Sequence, residues 1–340
     1  MWINLTSDSQ NSCMWKELSR HISIREGLSE AAASRIINSL RTSTKNQYAN
    51  YIRKFCLFNK KHLELCTHAD LIEYIEHLYS VDKLGYSACN MARSAVSTFL
   101  ELFCGNGIGK HPLVCRYMKG IFQSRPALPR YATTWNPEVV LKVLNEIDSH
   151  SATLLELSRK LAVLLTLLSG QRVATVSSLK LQDVQFSTDV SSMFIHVTDL
   201  VKQSKPGMHQ QPLCFAQYEA NSNLCVILAM KIYIEKTKSL RGEIASLWLT
   251  TTTPTKPACK DTVSNWIRNI LKRAGLDSFK PHSLRGAGTS AAAKILPLDT
   301  ILKAGGWSSS STFAKFYKKP THVYKGIDHA ILQCANGNNK

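Results

Sequence analysis

Carboxylates are scarce in this sequence: 24 Asp and Glu stand against 42 Lys and Arg, a formal charge of +18 over 340 residues. That scarcity argues against the clustered acidic ligands that a metal-dependent nuclease needs. The opposite excess suits a polyanionic partner whose phosphates Lys and Arg neutralise. Long apolar runs are missing too. The longest, Leu161 to Leu168, is far too short to span a bilayer and follows Arg159 and Lys160, so no membrane partner is expected. The first residues, Met1-Trp2-Ile3-Asn4, lack a charged segment leading into an apolar core, and secretion is not expected. No Cys-x-x-Cys pair occurs among the ten cysteines. In a chain this large, dispersed cysteines fit reduced thiols, in the nucleus if the source is eukaryotic and otherwise in the cytoplasm. Cys56, His62, Cys66 and His68 lie near one another but follow no zinc-ligand spacing. Neither metal nor any other cofactor is expected.

A hydrophobic content of 44% points to a folded chain, long enough for two domains with their own cores. Residues 1–30 show no sustained period and read as a loose arm. A helical bundle is expected over 31–123. Ser43 or Thr44 can cap a helix bearing Tyr48, Tyr51, Ile52, Phe55 and Phe58 at three- and four-residue steps. Thr67 and Asp70 form a capping-box pattern ahead of Leu71, Ile72, Ile75, Leu78 and Tyr79. Ser87 opens a third helix that Gly105 closes, and Pro112 starts a fourth with Val114, Met118, Ile121 and Phe122 inward. Residues 124–134, around Ser124-Arg125-Pro126-Ala127-Leu128-Pro129-Arg130, have the composition of an extended basic linker. Over 135–327 a second domain begins with a helix at Asn136-Pro137 and an apolar helix ending at Ser169-Gly170. Three strand-like runs follow (Val184 to Phe186, Met193 to Leu200, Gln211 to Phe215), and the pattern then returns to helix. A polar tail occupies 328–340. The fold class is therefore mainly α with one small antiparallel β-sheet.

The chemistry-bearing residues are scattered: Arg172, Lys202, His282, Arg285, Trp307 and Tyr317. Each alone has a plain reading as a surface cation, a helix start or a core aromatic. Together they contain two guanidiniums, whose planar donors match the nonbridging oxygens of a phosphodiester, and a phenol that can attack it. A phenol with its ordinary pKa of about 10 needs cations or a base beside it to react at neutral pH. His282 and Arg285 are three apart, which puts them on one helix face.

In order and spacing the set resembles the tyrosine recombinase (phage integrase-like) family. The matching segments are Leu-Ser-Gly-Gln-Arg172, a β-hairpin with lysines, Pro-His282-Ser-Leu-Arg285, Gly-Gly-Trp307-Ser-Ser and Ser-Thr-Phe-Ala-Lys-Phe-Tyr317. The likeness extends over residues 35–325 and implies a SAM-like, core-binding bundle followed by a mixed α+β catalytic domain. It implies a site-specific DNA recombinase: Arg172 and Arg285 grip the scissile phosphate, His282 hydrogen-bonds it and aids proton transfer, and Trp307 donates its indole N–H. Tyr317 attacks to give a 3′-phosphotyrosyl link. Lys202, with Lys205 as the alternative, protonates the leaving 5′ oxygen. Tyr324 is a second candidate phenol of poorer spacing. The resemblance implies double-stranded DNA as partner, contacted also by Arg125, Arg130, Lys45 and Arg93, and a homo-oligomer, a tetramer on DNA. The pattern departs from many members in an extra residue between Trp307 and Tyr317. It also has Val173-Ala174-Thr175 where an acidic residue often follows the first arginine. Lys202-Gln-Ser-Lys-Pro-Gly resembles recombinases of eukaryotic mobile elements of the Crypton and DIRS kind. A catalytically silent DNA-binding descendant and a type IB topoisomerase-like enzyme are the alternatives.

Overall fold

A computed structural model describes residues 11–126, 131, 133–202, 204, 206–207, 210–307 and 309–317. The chain divides into two compact units, 1–130 and 131–340. Helices dominate both.

The first unit holds α1 (Asn11–Glu26), α2 (Glu30–Ile37), α3 (Thr42–Asn59), α4 (His68–Ser80), α5 (Tyr86–Cys104) and α6 (Pro112–Ser124). The first thirty residues were expected as a loose arm, and α1 corrects that for its span. Met14, Trp15, Leu18 and Ile22 lie on one face and are buried in the bundle core. Trp15 Nε1 donates to Lys45 O at 3.3 Å, and the His21 ring stacks on Phe103 with centroids 4.2 Å apart. Thr67 and Asp70 make the capping box that opens α4, satisfying orphan N–H groups at a helix start. The ends of α3 and α5 differ from expectation. Arg41 and Gly85 occupy their N-cap positions without any side-chain cap, two or three residues before the Ser and Thr expected there. Phe122 is not inward: it is 46% exposed and rests edge-on against Tyr86 at 5.4 Å.

The second unit comprises α7 (Pro137–Asn145), α8 (Leu154–Ser169), α9 (Val173–Ser177), β1 (Val184–Phe186), β2 (Ser192–Ile195), β3 (Leu213–Ala216), α10 (Val226–Arg241), α11 (Lys260–Arg273), α12 (Ser283–Ala292), α13 (Leu298–Gly305) and α14 (Ser310–Phe316). Helix α8 is its axis. Every residue from Lys160 to Leu167 is buried, because α10, α11 and α12 pack around it. Gly288 of α12 lies so close to α8 that a Cβ there would stand 2.4 Å from Leu167 O. The sheet is antiparallel in the order β1-β2-β3, with Val184 opposite Ile195 and Ser192 opposite Ala216. β2 ends at Ile195, well short of the expected Leu200. Just beyond it His196 N still donates to Asp183 O at 3.0 Å, and side chains then take over: Thr198 Oγ1 donates to Asp183 Oδ2 at 2.7 Å, and Lys180 pairs with Asp199 at 2.6 Å. Lys202 therefore sits in a long connection between β2 and β3, not at the mouth of a tight turn.

Lys160 is fully buried, and its ammonium donates to Ile147 O. Burial pushes its pKa down from 10.5 to about 8, with Asp148 opposing weakly. Between those values the unfolded chain binds more protons than the folded one, so stability rises with pH. Melting curves should show wild type gaining about 3 °C on Lys160→Met as pH rises from about 8 to about 10. A gap that does not change with pH would remove this account of Lys160.

Candidate active site

Helix α8 ends at Gly170, whose φ of +62° is a left-handed conformation suited to glycine and turns the chain sharply. Gln171 follows, fully buried, and then Arg172 at the N-cap of α9, half-buried. On the neighbouring helix α12, His282 is the N-cap and Arg285 falls in the first turn. Arg285 is 0% exposed. Its Nη2 donates to Gly305 O at 2.8 Å, and its guanidinium lies 3.8 Å over the Trp307 ring and 5.1 Å from the Tyr317 ring centroid. Nε and Nη1 are buried with no hydrogen-bond partner among the described residues. Burial, followed by the charge of Arg172, pushes the Arg285 pKa down to about 10, while Tyr317 pulls it upward. It is still a cation at neutral pH.

Helix α13 ends at Gly305-Gly306, and the chain returns through Trp307 to α14. Gly305 cannot carry a side chain, since its Cβ would lie 1.8 Å from Trp307 Cζ3. The Trp307 ring is 9% exposed and meets Phe313 and Tyr317 edge-on at 5.2 and 4.8 Å. Its Nε1 is buried with no partner among the described residues. Tyr317 caps α14 and is half-buried. Its carbonyl accepts a bond from the Ser290 hydroxyl, and its phenol oxygen lies 3.3 Å from His282 Nε2. His282 is exposed at the protein surface. Partial desolvation of its ring, then the charges of Arg285, Arg172 and Lys202, push its pKa below the ordinary 6.5.

Five of the six sequence-derived site residues thus converge around one buried guanidinium, and Lys202, exposed on its loop, lies near enough for its charge to act on His282. Lys205 and Tyr324 lie outside the described residues, as does Arg130. Sequence reading missed Gln171, Ser290 and Gly305 as site-building residues. Only the Gly-Gly before Trp307 hinted at close packing. The other expected DNA contacts are mixed. Arg93 is half-buried and donates to Gly109 O at 3.2 Å. Lys45 bonds Asn38 Oδ1 at 3.0 Å. Arg125 is exposed but folds 4.3 Å over the Tyr79 ring, donating to Lys83 O and Leu84 O.

Among the described residues no group of three or more His, Cys, Asp or Glu is placed to hold a metal ion, and no helix is long and apolar enough to cross a membrane. Comparison with curated protein sequences finds no match. Solved structures share the fold at low identity. The XerH site-specific recombinase bound to palindromic difH substrate has a TM-score of 0.60 and 14% identity, covering 97% of this chain and 97% of that one. The Tn1549 transposon integrase in complex with transposon right end DNA has a TM-score of 0.58 at 13% identity, over 94% and 99%. A lambda integrase tetramer bound to a Holliday junction has 0.55 at 16%, over 92% and 79%. The model of the phage integrase N-terminal SAM-like domain matches residues 28–110, leaving all of α1 outside it. The phage integrase family model matches residues 136–322, more than half of the sequence, so the chain belongs to the phage integrase family, the tyrosine recombinases.

Proposed function

We propose that the protein is a site-specific DNA recombinase that cuts and rejoins strands through a 3′-phosphotyrosyl intermediate, in the service of a mobile element. The observation that carries this reading is Arg285: a buried cation with two unfilled donors, stacked on Trp307 and beside Tyr317. Burying such a group without partners is costly, and a phosphate entering the site fills those donors. The adjacent unfilled indole N–H of Trp307 suits the same anion.

The roles follow from the positions. Tyr317 Oη attacks the scissile phosphorus as its proton passes to His282 Nε2, 3.3 Å away. The P–O5′ bond breaks, and Lys202, or Lys205 in the same loop, supplies the proton for the leaving oxygen. Arg172, Arg285 and Trp307 stabilise the charge that builds on the nonbridging oxygens, a role for which preorganised donors are suited. Rejoining runs backwards: a 5′-hydroxyl attacks the phosphotyrosine and releases Tyr317. Bond energy is kept in the ester, so the cycle balances without an external energy source. Recombination joins two duplexes, so a tetramer on double-stranded DNA is the proposed assembly. The likeness of Lys202-Gln-Ser-Lys-Pro-Gly and Trp307-Ser-Ser-Ser-Ser-Thr-Phe to recombinases of the Crypton and DIRS kind supports the mobile-element part of the proposal.

The test uses nicked duplexes drawn from DNA flanking the coding sequence, from which the short 5′-hydroxyl fragment diffuses away and strands the intermediate. A covalent adduct surviving denaturation, mapped by mass spectrometry to the Tyr317 peptide, is the expected result. A protein that binds these duplexes and never forms the adduct would be a silent DNA-binding descendant. Supercoil relaxation without joined products would instead indicate a topoisomerase.

A pH profile checks the role of His282. As acceptor it must be neutral, and its pKa lies below 6.5. The rate of adduct formation should be level at neutral pH and fall about tenfold per unit below that midpoint. A rate that climbs as the solution is acidified would rule out His282 as the base.

A further inference from the structure

The two carbonyls that end α13 have no partners within their own helix, as at any helix C-terminus. Here they are taken by side chains from elsewhere in the fold. Gln171 Nε2 donates to Ala304 O at 2.6 Å, and Arg285 Nη2 donates to Gly305 O at 2.8 Å. The first of these crosses from the turn that carries Arg172. It is made by an amide that is itself 0% exposed. Trp307 lies directly beyond, its ring packed on the bare Cα of Gly305 with no room for a methyl group between them. Successive carbonyls are thus gripped from two sides. Neither the indole nor the guanidinium stacked on it can shift unless the 304–307 turn shifts as well.

We propose that Gln171 is a positioning residue for strand cleavage: its amide ties the Arg172 turn to the 304–307 turn and so sets Trp307 and Arg285 against the phosphate. The proposal rests on the recombinase reading, but the contact it invokes can be tested without it. Gln171 acts through Ala304, one residue before the carbonyl that holds Arg285. A misplacement of about 1 Å, caused by a change remote from the reacting atoms, can cost about a hundredfold in rate.

Gln171→Met keeps the length and most of the volume but removes the donor. Two measurements decide the matter. In the free protein labelled with 15N-tryptophan, the indole N–H signal of Trp307, assigned by its disappearance in Trp307→Phe, should move in Gln171→Met. An unmoved signal overturns the proposal whatever the cleavage assay shows. On the nicked duplexes, Gln171→Met should form adduct about 30-fold more slowly than wild type while its DNA affinity changes by less than about twofold. Adding Trp307→Phe should cost little more than the slower single variant, because both act at one turn. Wild-type cleavage by Gln171→Met, or losses that multiply in the double variant, would reduce Gln171 to a packing residue. If wild type itself forms no adduct, the recombinase reading fails, and the indole signal still reports whether Gln171 holds the turn.

Discussion

Tyr317→Phe is expected to abolish the covalent adduct, lowering strand cleavage by at least about 10⁴-fold, while DNA affinity stays within about twofold. The substitution removes one oxygen and nothing else. The edge-on contact with Trp307 at 4.8 Å and the position 5.1 Å from the Arg285 guanidinium belong to the ring, which phenylalanine keeps. The backbone bond from Ser290 to the Tyr317 carbonyl is unaffected as well. What disappears is the hydroxyl 3.3 Å from His282 Nε2, which also interacts with the Arg285 guanidinium and is the only part of the residue that can attack phosphorus. Binding should survive because it draws on the wider charge of +18 and not on the phenol. An adduct of undiminished yield on the variant would move the nucleophile elsewhere, with Tyr324, outside the described residues, next in line.

How much of this was legible in the sequence depends on how local each signal is. The capping box of α4 needs only Thr67 and Asp70, three residues apart, and it reads directly. The core of α8 reads as an apolar run broken only by Thr166, from Leu161 to Leu168. Helix α1 was missed because its buried stripe consists of four residues set among polar ones, and its Trp15 and His21 find their partners in α3 and α5. The starts of α3 and α5 were misplaced since neither Arg41 nor Gly85 carries a capping side chain to announce them. The end of β2 is set by Thr198 reaching back to Asp183, a bond that a count of strand-forming residues cannot contain. At the site, the reacting groups were legible only as an ordered set supported by a family resemblance. The bonds that hold them were not: Gln171 and Ala304 are 133 residues apart, and Arg285 and Gly305 are 20 apart. Nor does a lone arginine announce its direction, and Arg93 shows that a basic residue on a bundle helix can turn inward to a carbonyl.

Arg285→Met should separate stability from chemistry. Adduct formation should fall by about 10³-fold, the cost of losing a preorganised donor at a developing oxyanion. Yet the free protein should melt no lower than wild type and gain up to about 3 °C. The second expectation comes from the cost of the native arrangement: the guanidinium is 0% exposed, two of its nitrogens lack partners, and burial together with Arg172 already destabilises its charge. A methionine leaves Gly305 O without its donor, which costs about 1–3 kcal/mol. It also removes a desolvated cation facing a second one, and its thioether can take over the face of Trp307. Such unfilled donors persist where a ligand completes them, so the same variant should lose the stabilisation that wild type gains on binding a phosphate analogue such as vanadate. Arg285→Lys should not restore cleavage, because one ammonium can meet Gly305 O or the phosphate but lacks the planar fork to hold both. If Arg285→Met instead melts well below wild type with or without the anion, the guanidinium is a structural pin between α12 and the 304–307 turn. The buried charge would then be no sign of an absent phosphate, and the proposed chemistry would lose its main support.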